Sequence, residues 1–424
     1  MTGGGEGEGE KRIYQMKKNR VVITGIAAIT SAGNNAEALW KACVDGKSGI
    51  SPITLFDTTS YPSKLGGIVK DFSPEKFIDP MKIRRMDKVS QLAAVSAMQA
   101  IKDSGLQVTA ENSPRIGIVI GSGYGGTAPT EEFYVGLLKN GPNATNPMLF
   151  PITVPNTAAS QISFELKVKG PNSTFMQKEA SAEAAICYAA RLIMDNRADA
   201  VVAGGVDELN AILFHAYCAL NSPSPRDGKE EIFAPFDKRR NGLIVGEGAG
   251  ILLLERLDHA LNRGARIYGE IAGWGMTGGS CDIADYDEKP DSMIEAVRLA
   301  MKSSDITVGD IDYINASANG TKLDALETRA MKEVFGKKTK EVPVSSTKPI
   351  TGDFKGMGAV RLITSLLAIR DNIIPPTINY SVPDPECDLD YVPNTARKAK
   401  VNTVLLNSFS NGGSNISLLV KRYK

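Results

Sequence analysis

From Val21 onward, short β-branched apolar runs alternate with longer segments whose apolar residues recur at helical spacing. Val21–Ile29 is such a run, ended by Ala32-Gly-Asn-Asn35, and Ala36–Val44 then reads as a helix. Met86–Ser104 carries its apolar residues three and four apart and stops at Gly105. Arg115–Ile120 reads as a buried strand halted by Gly121. Ser173–Met176 is a short strand feeding an alanine-rich helix, Ala180–Arg197. Asp199–Ala203 is a strand ended by Gly204-Gly205. This alternation predicts α/β layers with mostly parallel, buried strands.

Near Arg256–Tyr268 the pattern starts again. A strand over Arg266–Gly273 leads to a helix (Ser292–Ser304), a strand (Ile311–Ala316), a helix (Asp324–Phe335) and a strand (Val342–Ser346). A helix (Val360–Arg370) and a last strand (Asn402–Leu406) complete the series. Two halves built to one pattern predict a diverged internal duplication. The expected organisation is a disordered Gly/Glu-rich leader over 1–19, a first half over 20–262 and a second over 263–424. No Ser/Pro-rich linker separates the halves, so one continuous core is expected.

Composition narrows the function classes. Of 424 residues, 42% are hydrophobic and 23% charged, as in a globular protein, and the net charge of +1 argues against nucleic-acid binding by bulk phosphate neutralisation. The five cysteines form no C-x-x-C pair and the two histidines no H-E-x-x-H, so neither a metal site nor a disulfide framework is expected. No apolar run is long enough for a membrane span, and the N-terminus lacks the apolar core of a secretory signal. A cytoplasmic protein with reduced thiols is the expectation.

Several segments bear on chemistry. Gly121-Ser-Gly-Tyr-Gly-Gly126 matches G-x-G-x-x-G after a strand, but no acidic residue follows at the distance a ribose partner needs, and a tight glycine turn explains it. Cys187 lies within the alanine-rich helix and reads as core packing. His215 and Cys218 share a helical spacing, for which packing is the simpler explanation. His259 sits in a charged helix and reads as solvated. More informative is Thr174-Phe-Met-Gln-Lys-Glu179-Ala-Ser-Ala-Glu, where a strand stops, the chain turns sharply and a helix of small residues begins. Such an elbow presents one residue at a helix N-terminus, here Glu179. The helix dipole and Lys178 favour its ionised form. An acid placed at a helix start for electrostatic reasons alone is the plainer alternative.

Taken together, Arg20-Val-Val-Ile-Thr-Gly25, Ile118-Val-Ile-Gly-Ser-Gly123, Pro235-Phe-Asp-Lys-Arg-Arg-Asn-Gly242, Gly246-Glu-Gly-Ala-Gly250, Ser345-Ser-Thr-Lys-Pro-Ile-Thr-Gly352 and Asn407-Ser-Phe-Ser-Asn-Gly-Gly-Ser-Asn415 resemble the β-ketoacyl synthase family. The resemblance runs from about residue 20 to the C-terminus and implies a thiolase-like, five-layer αβαβα fold with two duplicated halves. In active members the elbow carries a cysteine nucleophile. Two histidines, one in H-G-T-x-T and one after S-T-K-x-x-T-G, support malonyl decarboxylation. Matched segment by segment, these positions hold Glu179, Ser317 and Asp353, while the accompanying lysine is retained as Lys348. A thiolate is needed to take an acyl chain from a thioester, and imidazole donors are needed where enolate charge develops. Carboxylates at Glu179 and Asp353 oppose both.

The pattern therefore resembles a chain-length factor, the catalytically silent partner of a type II polyketide ketosynthase, although most such factors carry Gln where this chain has Glu179. The resemblance implies an active ketosynthase as heterodimer partner and an acyl carrier protein whose phosphopantetheine arm carries the substrate, with no cofactor bound by this chain. It puts the dimer interface at Ser173, Thr174, Phe175, Met176 and Gln177. The acyl tunnel would pass Thr127, Thr130 and Tyr134, the small Thr127 giving room at its level, and a loop gate would stand at Asn411. Arg84, Arg85 and Lys88 are candidates for carrier docking. A stand-alone decarboxylase or hydrolase of carrier-protein thioesters, and a structural chaperone of the ketosynthase, are the alternatives.

Overall fold

A computed structural model describes residues 19–282 and 284–424. The leader expected over 1–19 lies, apart from Asn19, outside the described residues. The principal strands are β1 (Val21–Thr30), β2 (Ile116–Gly121), β3 (Asn172–Phe175), β4 (Ala200–Asp207), β5 (Gly248–Arg256), β6 (Gly269–Gly278), β7 (Tyr313–Asn315), β8 (Val344–Ser345), β9 (Thr403–Phe409) and β10 (Ser414–Lys421). The principal helices are α1 (Ala36–Asp45), α2 (Lys88–Ser104), α3 (Thr127–Asn140), α4 (Thr157–Leu166), α5 (Ser181–Met194), α6 (Ala211–Ala219), α7 (Asp291–Ser304), α8 (Leu323–Phe335) and α9 (Gly358–Asp371).

The ten strands hydrogen-bond in the order β8-β7-β9-β10-β6-β1-β5-β4-β2-β3. The first half reads β3-β2-β4-β5-β1 and the second β8-β7-β9-β10-β6, so the third, second, fourth, fifth and first strands follow one another in each. The pairings match too. In each half the second strand is parallel to the third and fourth, and the fourth to fifth and fifth to first contacts are antiparallel. The duplication expected from the repeated pattern is thus present in the topology. The sheet is mixed, not mostly parallel as expected, because the last and first strands of each half return antiparallel. The halves join where Val21, Val22 and Ile23 pair with Ile271, Glu270 and Gly269.

Layering follows from which helices are apolar on one face and which all round. In α5, Ser181 to Cys187 are all buried, and in α9 every residue from Gly358 to Ile369 is buried. Both helices follow the third strand of their half, pack together, and form the middle layer with α1 in the largest apolar cluster. Helices α2 and α4 cover the outer face of the first half, and α7 and α8 that of the second. The result is the five-layer αβαβα arrangement. Local signals set the ends of α2: Asp87 accepts from the Ser90 amide at its start and Gly105 adopts the left-handed conformation at its end.

Two boundaries differ from the sequence-based expectation for physical reasons. Strand β4 runs through Gly204-Gly205 to Asp207, because these glycines let other backbone pass instead of ending the strand. A Cβ on Gly204 would lie 2.0 Å from the Gly250 carbonyl oxygen, and one on Gly205 2.3 Å from that of Gly356. Helix α5 begins only at Ser181, because Lys178–Ala180 forms a separate 3-10 turn after Lys178, whose φ is 49°.

His259, expected to be solvated, instead bonds a buried carboxylate. Its Nδ1 lies 2.5 Å from Glu255, which also accepts from Arg263 Nε and Nη2 at 2.7 Å and from the Thr24 hydroxyl at 2.7 Å. Glu255 thereby ties β5 to β1 and to the short helix Leu257–Asn262. Burial opposes its ionisation, but the bonds from Arg263, His259 and Thr24 outweigh this and bring its pKa down to about 2. The same contact raises the His259 pKa above its ordinary value. A lowered carboxylate contributes stability above its unfolded pKa and loses it in acid. Glu255→Gln should therefore cost roughly 3 kcal/mol near neutrality. Urea midpoints should show that cost shrinking as pH falls from 4.5 towards about 2. For His259→Ala the sign reverses: the loss is full below pH 6.5 and fades as pH rises through the raised pKa.

Candidate functional site

The site is built where the C-terminal ends of β2, β4, β7 and β9 meet the turns before α5 and α9. Asp207, at the end of β4, ties three of these pieces together. Its carboxylate accepts from the Ser122 hydroxyl and the Gly123 amide at 2.8 Å, and from the Gly356 amide at 2.6 Å. Burial pushes its pKa up to about 6, against the pull of those donors and of Lys355. The glycine-rich loop Gly121–Gly126 is thus a turn that serves Asp207 and leads into α3.

The elbow is where the sequence predicted it. After β3 the chain turns through Gln177 and the left-handed Lys178, and Glu179 is held just ahead of α5. The Ser181 hydroxyl donates to the Lys178 carbonyl at 2.6 Å and accepts from the Gln177 amide at 2.8 Å, fixing the turn. Glu179 is only 5% exposed, and its carbonyl accepts from the Ser408 hydroxyl at 2.9 Å.

Its charge is met by a residue that the motif comparison passed over. Lys355, 4% exposed, forms an ion pair with Glu179. Burial works against the Lys355 ammonium, but Glu179 beside it, aided by Tyr124 and Asp353, holds its pKa above the ordinary lysine value. The ammonium also lies 5.3 Å from the centre of the Tyr217 ring. Lys178 interacts electrostatically with Glu179, as expected, and also donates to the Asn411 carbonyl and side-chain oxygens, each at 3.2 Å.

The other positions singled out by the resemblance lie here too. Lys348 and Asp353 are both buried and pair at 3.1 Å. Ser317 is fully buried, and its hydroxyl accepts from the Phe409 amide at 2.9 Å. The Ser317 and Ala318 amides donate to Glu327 at 3.0 and 2.9 Å. Ser317 is thus engaged with backbone beside Ser408. Close by, Arg361 is the bulkiest fully buried side chain among the described residues and donates to the carbonyls of Asn315 and Asn407, binding the ends of β7 and β9. The structure thereby brings together Glu179, Ser317, Lys348, Asp353 and Asn411.

It sets other candidates apart. Thr127, Thr130 and Tyr134 lie on α3, outside the charged cluster, Tyr134 being exposed. Asn210 donates to the Thr127 hydroxyl at 2.6 Å, and Thr130 bonds back to the Gly126 carbonyl at 2.8 Å. Ser173 to Gln177 lie on and just after β3, whose far edge has no partner strand among the described residues. His215 is exposed near Tyr61, and burial lifts the Cys218 thiol to about 11, so the two do not form a nucleophile and base. Of the docking candidates, Arg84 and Arg85 are exposed, whereas Lys88 is drawn inward to Glu247 at 2.7 Å.

The model of the β-ketoacyl synthase N-terminal domain matches residues 18–260, and that of the C-terminal domain residues 268–381. The chain belongs to the β-ketoacyl synthase family. It is 41% identical to a 3-oxoacyl-[acyl-carrier-protein] synthase 2 of Coxiella burnetii over 96% of this chain and 99% of that one. It is 38% identical to the enzyme of the same name from Synechocystis, with the same coverage. Among solved structures it resembles the ishigamide ketosynthase/chain length factor, with a TM-score of 0.88 and 31% identity over 96% of this chain and 100% of that chain.

Within this synthase scaffold, Lys355 had a detectable signal. An acid at a buried elbow requires a buried cation, and Lys355 is a charge inside the glycine-containing turn that follows Asp353. If the two charges exist for each other, removing one leaves the other stranded at about 3–5 kcal/mol, while removing both is far milder. Urea unfolding should therefore show Lys355→Met strongly destabilised and Glu179→Leu/Lys355→Met recovering most of the loss. Additive losses would contradict the pairing.

Proposed function

We propose that this chain is a non-catalytic chain-length factor. It pairs with an active ketosynthase and forms one wall of the tunnel in which an acyl chain grows on acyl carrier protein. The observation that carries this reading is the buried Glu179–Lys355 ion pair at the elbow. Condensation needs a thiolate there and imidazole donors nearby. The two histidines lie elsewhere, His215 at the surface and His259 on Glu255. The cysteine nearest in sequence, Cys187, is buried two turns into α5 and its thiol pKa is driven well up by burial.

The likeness to a ketosynthase/chain length factor supports the class. So does that to a type II polyketide ketosynthase solved with its acyl-carrier protein, at 26% identity and a TM-score of 0.88. In this reading the carrier's phosphopantetheine arm delivers the substrate and no cofactor resides in this chain.

A partner surface is consistent with the fold. Strand β3 ends the sheet with an edge that has no partner strand among the described residues; Leu138, Met148, Phe150 and Phe164 are exposed on and around α3 and α4, as is Met176 just after β3. An open edge and exposed large apolar side chains call for cover. The proposed tunnel residues Thr127, Thr130 and Tyr134 share a face of α3, so the tunnel would close only in the assembled pair. Exposed Arg84 and Arg85 remain as contacts for an acidic carrier. A cytoplasmic setting is part of the proposal; no helix among the described residues is long and apolar enough to cross a membrane.

The test is reconstitution. The purified chain should neither condense nor release carbon dioxide from malonyl carrier protein, and adding the ketosynthase should yield elongated product. Thr130→Phe should shorten that product by mass spectrometry. It is a cleaner probe than Thr127→Trp, which would also leave Asn210 and Glu208 without their threonine partner. Carbon dioxide release lost in Glu179→Ala would favour the decarboxylase alternative. Co-purification with product length unmoved by bulky α3 substitutions would favour the chaperone.

A further inference from the structure

Resting on the reading above, we infer that Lys355 is a specificity-determining residue: it fills and closes this chain's own elbow pocket, so that a carrier's thioester arm is excluded here and directed to the partner subunit. A pocket that receives a thioester arm must hold open space at the elbow. Three observations indicate that the space is occupied.

The Lys355 stem is threaded between the Ser122-Gly123 loop and the elbow. A Cβ on Gly123 would lie 2.4 Å from the Lys355 Cβ and 2.3 Å from its Cγ, so the stem uses the room that glycine leaves. Its backbone is held in place because the next amide, Gly356, donates to Asp207. The ammonium ends between the Glu179 carboxylate and the Tyr217 ring, with both members of the ion pair about 95% buried. Nearby, the Lys178 amine bridges from the elbow to Asn411.

The closure is electrostatic as well as steric. An acyl-pantetheine chain entering here would have to separate two buried opposite charges and offer neither a counter-charge in return. Separating such a pair in a low-dielectric site costs more than burying a short apolar chain returns. Rejection through a feature that penalises the wrong ligand is an established route to specificity.

The experiment uses the full-length chain with two probes. The first is an acetylating succinimidyl ester with peptide mass mapping. Lys355 should react at least about tenfold more slowly than exposed Lys139 and Lys338, the factor that 1.4 kcal/mol of extra cost produces. Labelling of Lys355 at their rate would overturn the inference. Gly123→Ala leaves both charges in place but displaces the stem, and should raise Lys355 labelling at least about tenfold. Unchanged protection in that variant would overturn the threading. The second probe is S-acetyl-pantetheine, followed by ligand-detected NMR. The wild type should show no saturable binding, whereas a folded Glu179→Ala/Lys355→Ala protein should bind it. Binding by the wild type, or none by that folded variant, would overturn the inference. Condensation by the chain alone would instead sink the chain-length-factor reading, whatever the pocket binds.

Discussion

A charge buried away from water must be neutralised by its neighbours, and the centre of this molecule is arranged around that requirement. Glu179 is met by Lys355, Asp353 by Lys348, and Glu255 by Arg263 and His259. The first two pairs stand where four strand ends and two helix starts converge, so the charges also fix the geometry of the turns that carry them. Glycine and serine at Gly123, Gly356 and Ser122 supply the close approaches and donors that let Asp207 hold those turns together. Such a cluster tolerates loss of a pair better than loss of one member, because a stranded ion pays its full desolvation cost.

The scaffold around the cluster is symmetric in a way the cluster is not. Each half runs its strands in the same spatial order, and each sends one helix, α5 or α9, into the shared middle layer. The two turns that precede these helices therefore face each other across the pocket. The turn before α5 supplies Glu179 and the turn before α9 supplies Lys355, so the ion pair bridges the two halves of the duplication. An ordinary condensing enzyme requires the same convergence to bring a nucleophile to its acid–base partners. Here the convergence is retained and the groups delivered to it are a carboxylate and an ammonium, which neutralise one another.

At the surface, β3 has no partner strand on its far edge among the described residues, and large apolar side chains are exposed on and around α3 and α4. The proposed role rests on the contrast between the buried ion pair at the elbow and the open strand edge at the surface.

Much of this was legible in the sequence. The alternation of apolar runs and helical periods identified the layers, because buried strands and helices in a five-layer fold need those patterns. The elbow at Glu179 was readable because a strand, a turn and a run of small residues are each locally encoded. The positions Ser317, Lys348 and Asp353 were singled out through the resemblance to the β-ketoacyl synthase family, segment by segment. The sequence did not reveal that β4 runs on through Gly204-Gly205, since a glycine that ends a strand and one that admits another backbone look alike until the neighbour is known. Nor did it reveal that Lys355 pairs with Glu179, that Lys178 also bonds Asn411, or that His259 is bound to Glu255. Local propensity decides which element a residue joins. Only the folding of one half against the other decides which charge it meets, since Glu179 and Lys355 are 176 residues apart and no nearest-neighbour pattern links them.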